Sequence, residues 1–594
     1  MLHLAIVQLR PHKGAYEDNL AQLGVILRDL AGSPEPPDLL VLPETALTGY
    51  FLEGGVREHA RSAEQLYADL DALHRASGAP PVDIALGFYE VWRNRHYNAA
   101  LYASLGGTAP GIHHVHRKVF LPTYGVFDEE RFVESGTEVR AFDTRWGRAA
   151  MLVCEDAWHS IMPTLAALDG AELLIIPSAT PARGIQGEEA PANLQRWEHL
   201  AADAAAEHGI FVVVTQLVGF EGGKAFAGGS VLAGPTGQVL ARGPLFQPAV
   251  VPVTLDFDEI TRARAELPLL ADLEIRLPRL LDWLGRSDGA AGKESTWEAR
   301  PVIESRVARP ARRSRPPMAP PAGDPLGINP DLTRRWLVEF LRDEVRRRRG
   351  FERVLLGVSG GVDSALVAYL ASEAFGPENV TAVRMPYLTS SPESLAHAQL
   401  VIDRLGLPSR TVDITAGVDG LVGAIGDGST PARRGNIMAR ARMIVLFDLS
   451  AELNALPLGT GNKTERLFGY FTWHADDSPP VNAIGDLFKT QVWALARHLG
   501  VPDVIVDKPA TADLIQGQTD EGDFGISYER ADHILHYLLS GFRPEQILTL
   551  GFTEAELKLV RARLEKTHWK RRLPTVAMLS QTAIGEYYLR PVDY

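Results

Sequence analysis

From residue 1 to about 285, short apolar runs alternate with stretches whose apolar residues recur at helical spacing. Leu4–Leu9, Leu39–Leu42, Ile84–Phe88, Ala149–Val153, Leu173–Ile176 and Ile210–Val214 are bounded by polar or turn residues and predict strands. Tyr16–Leu30, Ala63–Ala76 and Asn193–His208 predict amphipathic helices between them. Such alternation predicts a layered α/β domain over 1–285. Residues 286–326 break the pattern. Their core, Arg-Pro-Ala-Arg-Arg-Ser-Arg-Pro-Pro-Met-Ala-Pro-Pro (309–321), has no periodicity and reads as a Pro/Arg-rich linker. Alternation resumes over 327–594. A helix over Leu332–Arg348 leads to a strand at Val354–Val358 and a helix from Ser364. Strands at Val380–Met385, Ser409–Asp413 and Leu456–Gly459, a helix over Ile437–Asn454 and a mostly helical tail after Tyr528, irregular near Leu573-Pro574, complete a second α/β domain. Its apolar strands predict a parallel sheet covered by helices on both faces.

Composition narrows the partners. The 594 residues carry 60 Lys+Arg against 74 Asp+Glu, a net charge of -14, which argues against nucleic acid held on a bulk basic surface. Phosphate-bearing ligands would then be held by backbone amides, a metal ion and a few placed cations. No apolar run approaches the ~20 residues of a membrane span, and the start reads as a strand instead of a signal peptide. There is one cysteine, Cys154, so no disulfide forms within the chain and no Cys-rich zinc site exists. A reducing, cytoplasmic setting fits.

Cys154 follows the apolar run Ala149–Val153 and precedes Glu155-Asp156, which puts a thiol at the carboxyl end of a strand. Glu44, in Leu42-Pro43-Glu44-Thr45, also follows a strand, and Lys118 stands ahead of a Leu121-Pro122 turn. A carboxylate can take a proton from a thiol. A nearby ammonium favours the thiolate and stabilises a tetrahedral oxyanion. His113, His114 and His116 invite a zinc reading, but no acidic or Cys motif supports them, and they read as polar strand residues.

Pro43-Glu44, Arg117-Lys118…Leu121-Pro122 and Cys154-Glu155-Asp156 resemble, in order and surroundings, the Glu–Lys–Cys motifs of the nitrilase superfamily. The resemblance spans the first domain and implies an αββα sandwich and amide hydrolysis through a thioester. It implies Glu44 as general base, Lys118 as the group polarising the intermediate and Cys154 as nucleophile. Glu129 resembles the family's supporting second glutamate. Leu121-Pro-Thr-Tyr124-Gly and Pro177-Ser178-Ala-Thr180-Pro181 resemble the segments of glutaminase members that bind glutamine, which implies Tyr124, Ser178 and Thr180 as its contacts. Phe226-Ala227-Gly228-Gly229 departs from the usual Phe-Asp-Gly-Gly.

In the second half, Gly357-Val358-Ser359-Gly360-Gly361-Val362-Asp363-Ser364 lies between a strand and a helix. Glycines let a backbone approach phosphate oxygens, and the helix start adds oriented N–H groups. The Gly-Lys-[Ser/Thr] ending of a Walker A loop is absent. The octet resembles instead the loop of ATP pyrophosphatases, which release AMP and pyrophosphate, and Asp363 suits a Mg2+ ion. Gly435-Asn436, Arg440-Ala-Arg442, Gly459-Thr460-Gly461-Asn462-Lys463-Thr464-Glu465, Gly469-Tyr-Phe-Thr472, Asp486-Leu-Phe-Lys489, Pro509-Ala-Thr511-Ala-Asp513-Leu514 and Gly517-Gln-Thr-Asp-Glu521 follow in the order found in NAD synthetases. Joined to a nitrilase-like domain, the succession resembles the glutamine-dependent NAD synthetases, whose second domain is a doubly wound parallel sheet.

That resemblance implies ATP on the 357–364 loop and Thr460, with Lys489 and Thr511 near its phosphates. It implies Mg2+ on Asp363 and Glu465, and deamido-NAD on Asn436, Glu465 and Lys570. It further implies a shielded passage for ammonia and a homo-oligomer, a dimer or larger. The family's Gly-Asp-Gly-Gly after Tyr-Phe-Thr is replaced by Trp473-His-Ala475-Asp476-Asp477-Ser478-Pro479-Pro480, which keeps only the aspartate. Three other readings remain at this level: a free amidase with a nucleotide-sensing second domain, an ATP-dependent amidotransferase acting on a nucleobase, and a scaffold.

Overall fold

The computed structural model describes residues 1–186, 190–286, 323–426, 430–511 and 519–571. Most of the linker expected at 286–326 lies outside the described residues, as do Asp513, Leu514 and Gly517 of the quoted motifs and the irregular stretch near Leu573-Pro574. The described residues form two compact units, 1–184 with 190–286, and 185–186 with 323–571.

In the first unit the chain runs through β1 (Leu2–Gln8), β2 (Leu39–Val41), β3 (Val82–Trp92), β4 (Arg95–Leu105), β5 (Gly111–Arg117), β6 (Ala141–Thr144) and β7 (Gly147–Met151). It continues through β8 (Leu173–Ser178), β9 (Phe211–Gln216), β10 (Val218–Glu221), β11 (Lys224–Ala227), β12 (Val231–Ala233), β13 (Val239–Arg242) and β14 (Ala249–Leu255). Two six-stranded sheets result, ordered β14-β1-β2-β3-β4-β5 and β13-β12-β9-β8-β7-β6, with β10 and β11 a separate ribbon. Each sheet has three parallel strands, β1-β2-β3 and β7-β8-β9, flanked by antiparallel partners. The sheets meet face to face, β1 against β9, β3 against β8 and β5 against β6. Leu23 and Leu27 of the helix Tyr16–Ala31, with Leu66 and Leu70 of Ala63–Ser77, bury against Leu40, Leu42, Ile84 and Leu86 on the outer face of the first sheet. On the second sheet the helix Ala192–His208 buries Leu194, Trp197, Ala201, Ala205 and His208, a stripe three or four residues apart. The layers are therefore helix, sheet, sheet, helix.

The second unit is built on β15 (Arg353–Gly357), β16 (Val380–Arg384), β17 (Ser409–Thr411) and β18 (Ala455–Pro457), ordered β17-β16-β15-β18 and parallel throughout. Side chains of β15 alternate between two cores. Val354 and Leu356 pack with the helices Pro330–Leu341, Val362–Phe375 and Lys489–His498, while Leu355 packs with Leu449 and Val445 of Pro431–Leu453. Helices thus cover both faces, as the apolar strands required. The helix expected over Leu332–Arg348 is α-helical only to Leu341. Arg342–Arg347 widens into a π-helix, where the buried Asp343 and Glu344 are paired with Arg347, Arg348 and Arg349. Chain order reverses between β15 and β18, and ligands of such sheets sit outside the strands' carboxyl ends at that point.

Candidate active sites

Three strand ends of the first unit deliver reactive side chains to one place. Glu44 follows β2, Lys118 follows β5 and Cys154 follows β7. The turn carrying Glu44 lies tight against β3: Gly87 donates to the Pro43 carbonyl, and a Cβ at Gly87 would stand 2.4 Å from Cα of Glu44. Only glycine fits there. Cys154 has φ 45° and Thr45 has φ 49°, left-handed conformations that a side chain rarely takes and that mark functional turns.

Lys118 Nζ donates to Oε1 of Glu44 and to Oε1 of Glu129, both at 2.9 Å. Asn98, from the middle of β4, donates to Oε1 of Glu44 at 2.7 Å and of Glu129 at 3.0 Å, and the Tyr50 hydroxyl donates to Glu129. The Ala179 amide donates to Oε2 of Glu44 at 2.7 Å. Burial alone would lower the Lys118 pKa, but the attraction of Glu129 and Glu44 outweighs it and holds the ammonium charged, well above its ordinary range. Burial pushes the Glu129 carboxyl up, against the pull of Lys118.

Cys154 Sγ accepts from Ser178 Oγ at 3.3 Å and lies 3.6 Å from Thr180 Oγ1. Burial, and then the negative charge of Glu44, push the thiol up to about 12, while Lys118 and Ser178 pull the other way. Lys118 favours the thiolate, as the sequence implied, but it is not the largest influence. Desolvation and Glu44 win, and the resting sulfur is a thiol at neutral pH. Asp156, fully buried, binds the Lys118 and Cys154 turns together. Its Oδ1 accepts from the amides of Val119 and Phe120 at 2.9 and 2.8 Å, and its Oδ2 from that of Val153 at 3.1 Å. Tyr124 is about half exposed and donates to Glu155 at 2.9 Å, at the rim of the cluster. His116 pairs with Asp156 at 2.9 Å, His113 with Ser104 at 2.8 Å, and His114 stacks on Phe142.

In the second unit, residues 357–364 leave β15 and Thr460 leaves β18, so both stand at the switch point. Gly360 has φ 80°, and a Cβ there would come within 2.1 Å of the Ser394 carbonyl oxygen. The Ser364 hydroxyl donates to the Gly361 carbonyl at 3.0 Å and tightens the turn. Gly361 caps the helix Val362–Phe375 with no side-chain hydrogen bond, which leaves first-turn amides free of a protein side-chain acceptor at the cap.

Asp363 pairs with the buried Lys489 and accepts from Asn462 Nδ2 at 3.0 Å. Asn462 also caps the next helix in a reciprocal pair with Glu465, accepting from its amide at 3.0 Å and donating to its Oε2 at 3.1 Å. Burial, and then the charge of Asp363, push the Glu465 carboxyl well above the usual range. Two acids are thus held together with one ammonium between them. Oδ1 of Asp520, whose charge also acts on Glu465 and Lys489, is buried with no hydrogen-bond partner among the described residues. Hard oxygen donors and an orphaned carboxylate oxygen fit a Mg2+ ion. Among the described residues, no three His, Cys, Asp or Glu side chains form a ready metal set.

Asn436 is exposed and accepts from the Thr472 hydroxyl at 3.0 Å. Lys570 does not project freely. Its Nζ donates to the carbonyls of Gly469 and Phe471 at 2.8 and 3.0 Å, and burial lowers its pKa. Asp476, kept in the altered segment, accepts from the Thr472 amide at 2.9 Å and closes the 472–476 turn. Thr511 lines a pocket of about 350 Å³ with Lys508 and Thr519. The sequence reading missed Asn98, Tyr50, Asn462 and Asp520 as partners in the two sites. Asn98, a lone amide between Tyr97 and the apolar run Ala99–Leu101, was the one with a readable signal.

The fold and the two sites define the class. Residues 3–265 match the carbon-nitrogen hydrolase family, and residues 334–574 match the NAD synthase family. The second half is 46% identical over 261 residues to an NH(3)-dependent NAD(+) synthetase of Chlorobaculum parvum, covering 44% of this chain and 94% of that one. Over its whole length the chain is 30% identical to the glutamine-dependent NAD(+) synthetase of Thermotoga maritima, covering 100% of this chain and 98% of the relative. The glutamine-dependent NAD+ synthetase of Acinetobacter baumannii, solved in complex with ADP, shares the fold at a TM-score of 0.69 and 21% identity, over 100% of this chain and 98% of that one. The chain belongs to the glutamine-dependent NAD(+) synthetase family.

Proposed function

We propose that this chain makes NAD from deamido-NAD, using ATP to activate the acid and glutamine to supply nitrogen. The observation that carries the reading is the pairing, in one chain of this family, of the buried Glu44–Lys118–Cys154 cluster with a phosphate-type loop at the switch point of a second unit. The chain divides into a glutaminase domain at 1–285, a linker at 286–326 and a synthetase domain at 327–594.

In the first domain, Tyr124, Ser178 and Thr180 hold glutamine. Glu44 takes the thiol proton as Cys154 Sγ bonds to the carboxamide carbon, and Lys118 stabilises the oxyanion. The same proton goes to the departing nitrogen, leaving a thioester and free ammonia. Water then releases glutamate and restores the thiol. A thiol pushed up to about 12 makes the neighbouring base necessary, because the free thiolate is scarce at neutral pH.

In the second domain, residues 357–364 and Thr460 hold ATP, with Lys489 and Thr511 near its phosphates. Asn436, Glu465 and Lys570 hold deamido-NAD, Lys570 partly through the 469–471 backbone that it braces. Asp363 and Glu465 would hold Mg2+, which when bound offsets the charge between the substrate anions. The nicotinate carboxylate bonds to the α-phosphorus and pyrophosphate leaves. Ammonia then bonds to the carbonyl carbon of the acyl-adenylate, and AMP leaves. Ammonia released into water becomes ammonium and loses its lone pair, so the reading includes a shielded passage. A homo-oligomer working in the cytoplasm completes it.

The test is incubation of the full chain with glutamine, ATP, Mg2+ and deamido-NAD. NAD, AMP, pyrophosphate and glutamate in equal amounts are expected. Glutamate without NAD, or amidation of a different acid in preference, overturns the reading.

A further inference from the structure

Behind the thiol runs a chain of hydrogen bonds with one polarity. The indole Nε1–H of Trp197 donates to Thr180 Oγ1 at 2.8 Å. Thr180 Oγ1 lies 2.9 Å from Ser178 Oγ, and Ser178 Oγ lies 3.3 Å from Cys154 Sγ as a donor. An indole N–H can only donate. Ser178 has one hydroxyl proton, and it points to the sulfur, so the proton between Ser178 and Thr180 belongs to Thr180. The direction is therefore indole to threonine to serine to sulfur, and each bond polarises the next. Trp197 is 1% exposed, packed edge-on against Trp158 at 5.5 Å, and cannot turn its N–H to water.

We propose that Trp197 is a positioning residue for the nucleophile: its indole N–H sets the direction of the hydroxyls so that Thr180 donates to Ser178 and Ser178 donates to Cys154, which favours the thiolate. Without that donor the Thr180 and Ser178 hydroxyls can reverse, and the sulfur loses the Ser178 proton. The other titratable groups facing the thiol are Glu44, Lys118, Tyr50 and Tyr124. Of these, Glu44 opposes the thiolate and Lys118 supports it, so the hydroxyl chain adds to the support from Lys118. The inference rests on the reading of Cys154 as nucleophile and assigns Trp197 and Thr180 a duty besides any contact with glutamine.

Cys154 is the only cysteine, so thiolate formation can be read on the intact protein without substrate. Alkylation of the thiolate by iodoacetamide is followed from neutral to mildly alkaline pH for wild type, Trp197→Phe and Thr180→Val, with Cys154→Ala as the blank. In that range the rate follows the thiolate fraction. Both variants should react about three- to tenfold more slowly at a given pH, with the same rise of rate with pH. The double variant should be no worse than either alone. Thr180→Val keeps its shape and decides the matter if Trp197→Phe fails to fold. Folded variants that react as fast as wild type, even if less stable, overturn the proposal and leave Trp197 as packing. Alkylation reads the sulfur whatever the substrate is, so its outcome is independent of whether the chain uses glutamine.

Discussion

Nζ of Lys118 lies 2.9 Å from Oε1 of Glu44, and neither side chain has exposed surface. A buried pair of this kind is costly to assemble and costlier to break. Glu44→Gln keeps the shape but removes one of the two carboxylates that neutralise Lys118, the other being Glu129. Loss of about 3 kcal/mol in stability is expected, the lower end for a broken buried pair because Glu129 remains. Glutamate release should fall about 10²–10⁴-fold for want of the base. Synthesis from added ammonium salt should persist. Thermal melting and the two activity assays check this together, and unchanged glutamate release removes Glu44 from the chemistry.

Gly360 separates the two halves of the reaction from the other side. A methyl group there meets the Ser394 carbonyl at 2.1 Å in a backbone at φ 80°, so Gly360→Ala must displace the loop. NAD formation is expected to drop at least about 10²-fold with either nitrogen source, the scale on which misplaced reacting groups cost rate. Modification of Cys154 by iodoacetamide should proceed as in wild type.

Asp532 gives a pH dependence with a definite sign. It is fully buried, accepts from Thr464 Oγ1 at 2.5 Å and from the Thr490 amide at 2.9 Å, and burial pushes its carboxyl up to about 6. The folded state therefore binds the proton more tightly than the unfolded chain. The contribution is complete below the ordinary carboxyl range and is lost as pH rises through about 6, a change on the order of 3 kcal/mol. Asp532→Asn should flatten the stability profile between about pH 4 and 6. Denaturant melts across that window measure the slope, and a slope equal to wild type contradicts the assignment.

The legible parts of the fold were those whose physics is local. The parallel strands of both units other than β17 are largely apolar runs, and the ends of β2, β7 and β15 carry Glu44, Cys154 and the 357–364 loop in plain view. Strand β4 was not anticipated, because Arg95, His96 and Asn98 interrupt the apolar pattern, whereas His113, His114 and His116 were read as polar strand residues and lie on β5. Those polar residues are satisfied only by distant partners: Asn98 by Glu44 and Glu129, His116 by Asp156. The left-handed turn at Cys154 is likewise set by tertiary contacts, among them the Asp156 carboxylate that holds Val153, Val119 and Phe120. The pull of Lys118 on the thiol was legible from charge signs, whereas the opposing desolvation was not. The family resemblance implied Lys570 as a deamido-NAD contact, and its bonds to the carbonyls of Gly469 and Phe471 could be seen only once the tail met that loop.

The most direct measurement is NAD synthesis by Cys154→Ala, with glutamine in one arm and an ammonium salt in the other. Synthesis from glutamine should vanish while synthesis from ammonium stays near wild type. Equal loss in both arms, or synthesis from glutamine that survives without the sulfur, would contradict the division of labour between the two sites.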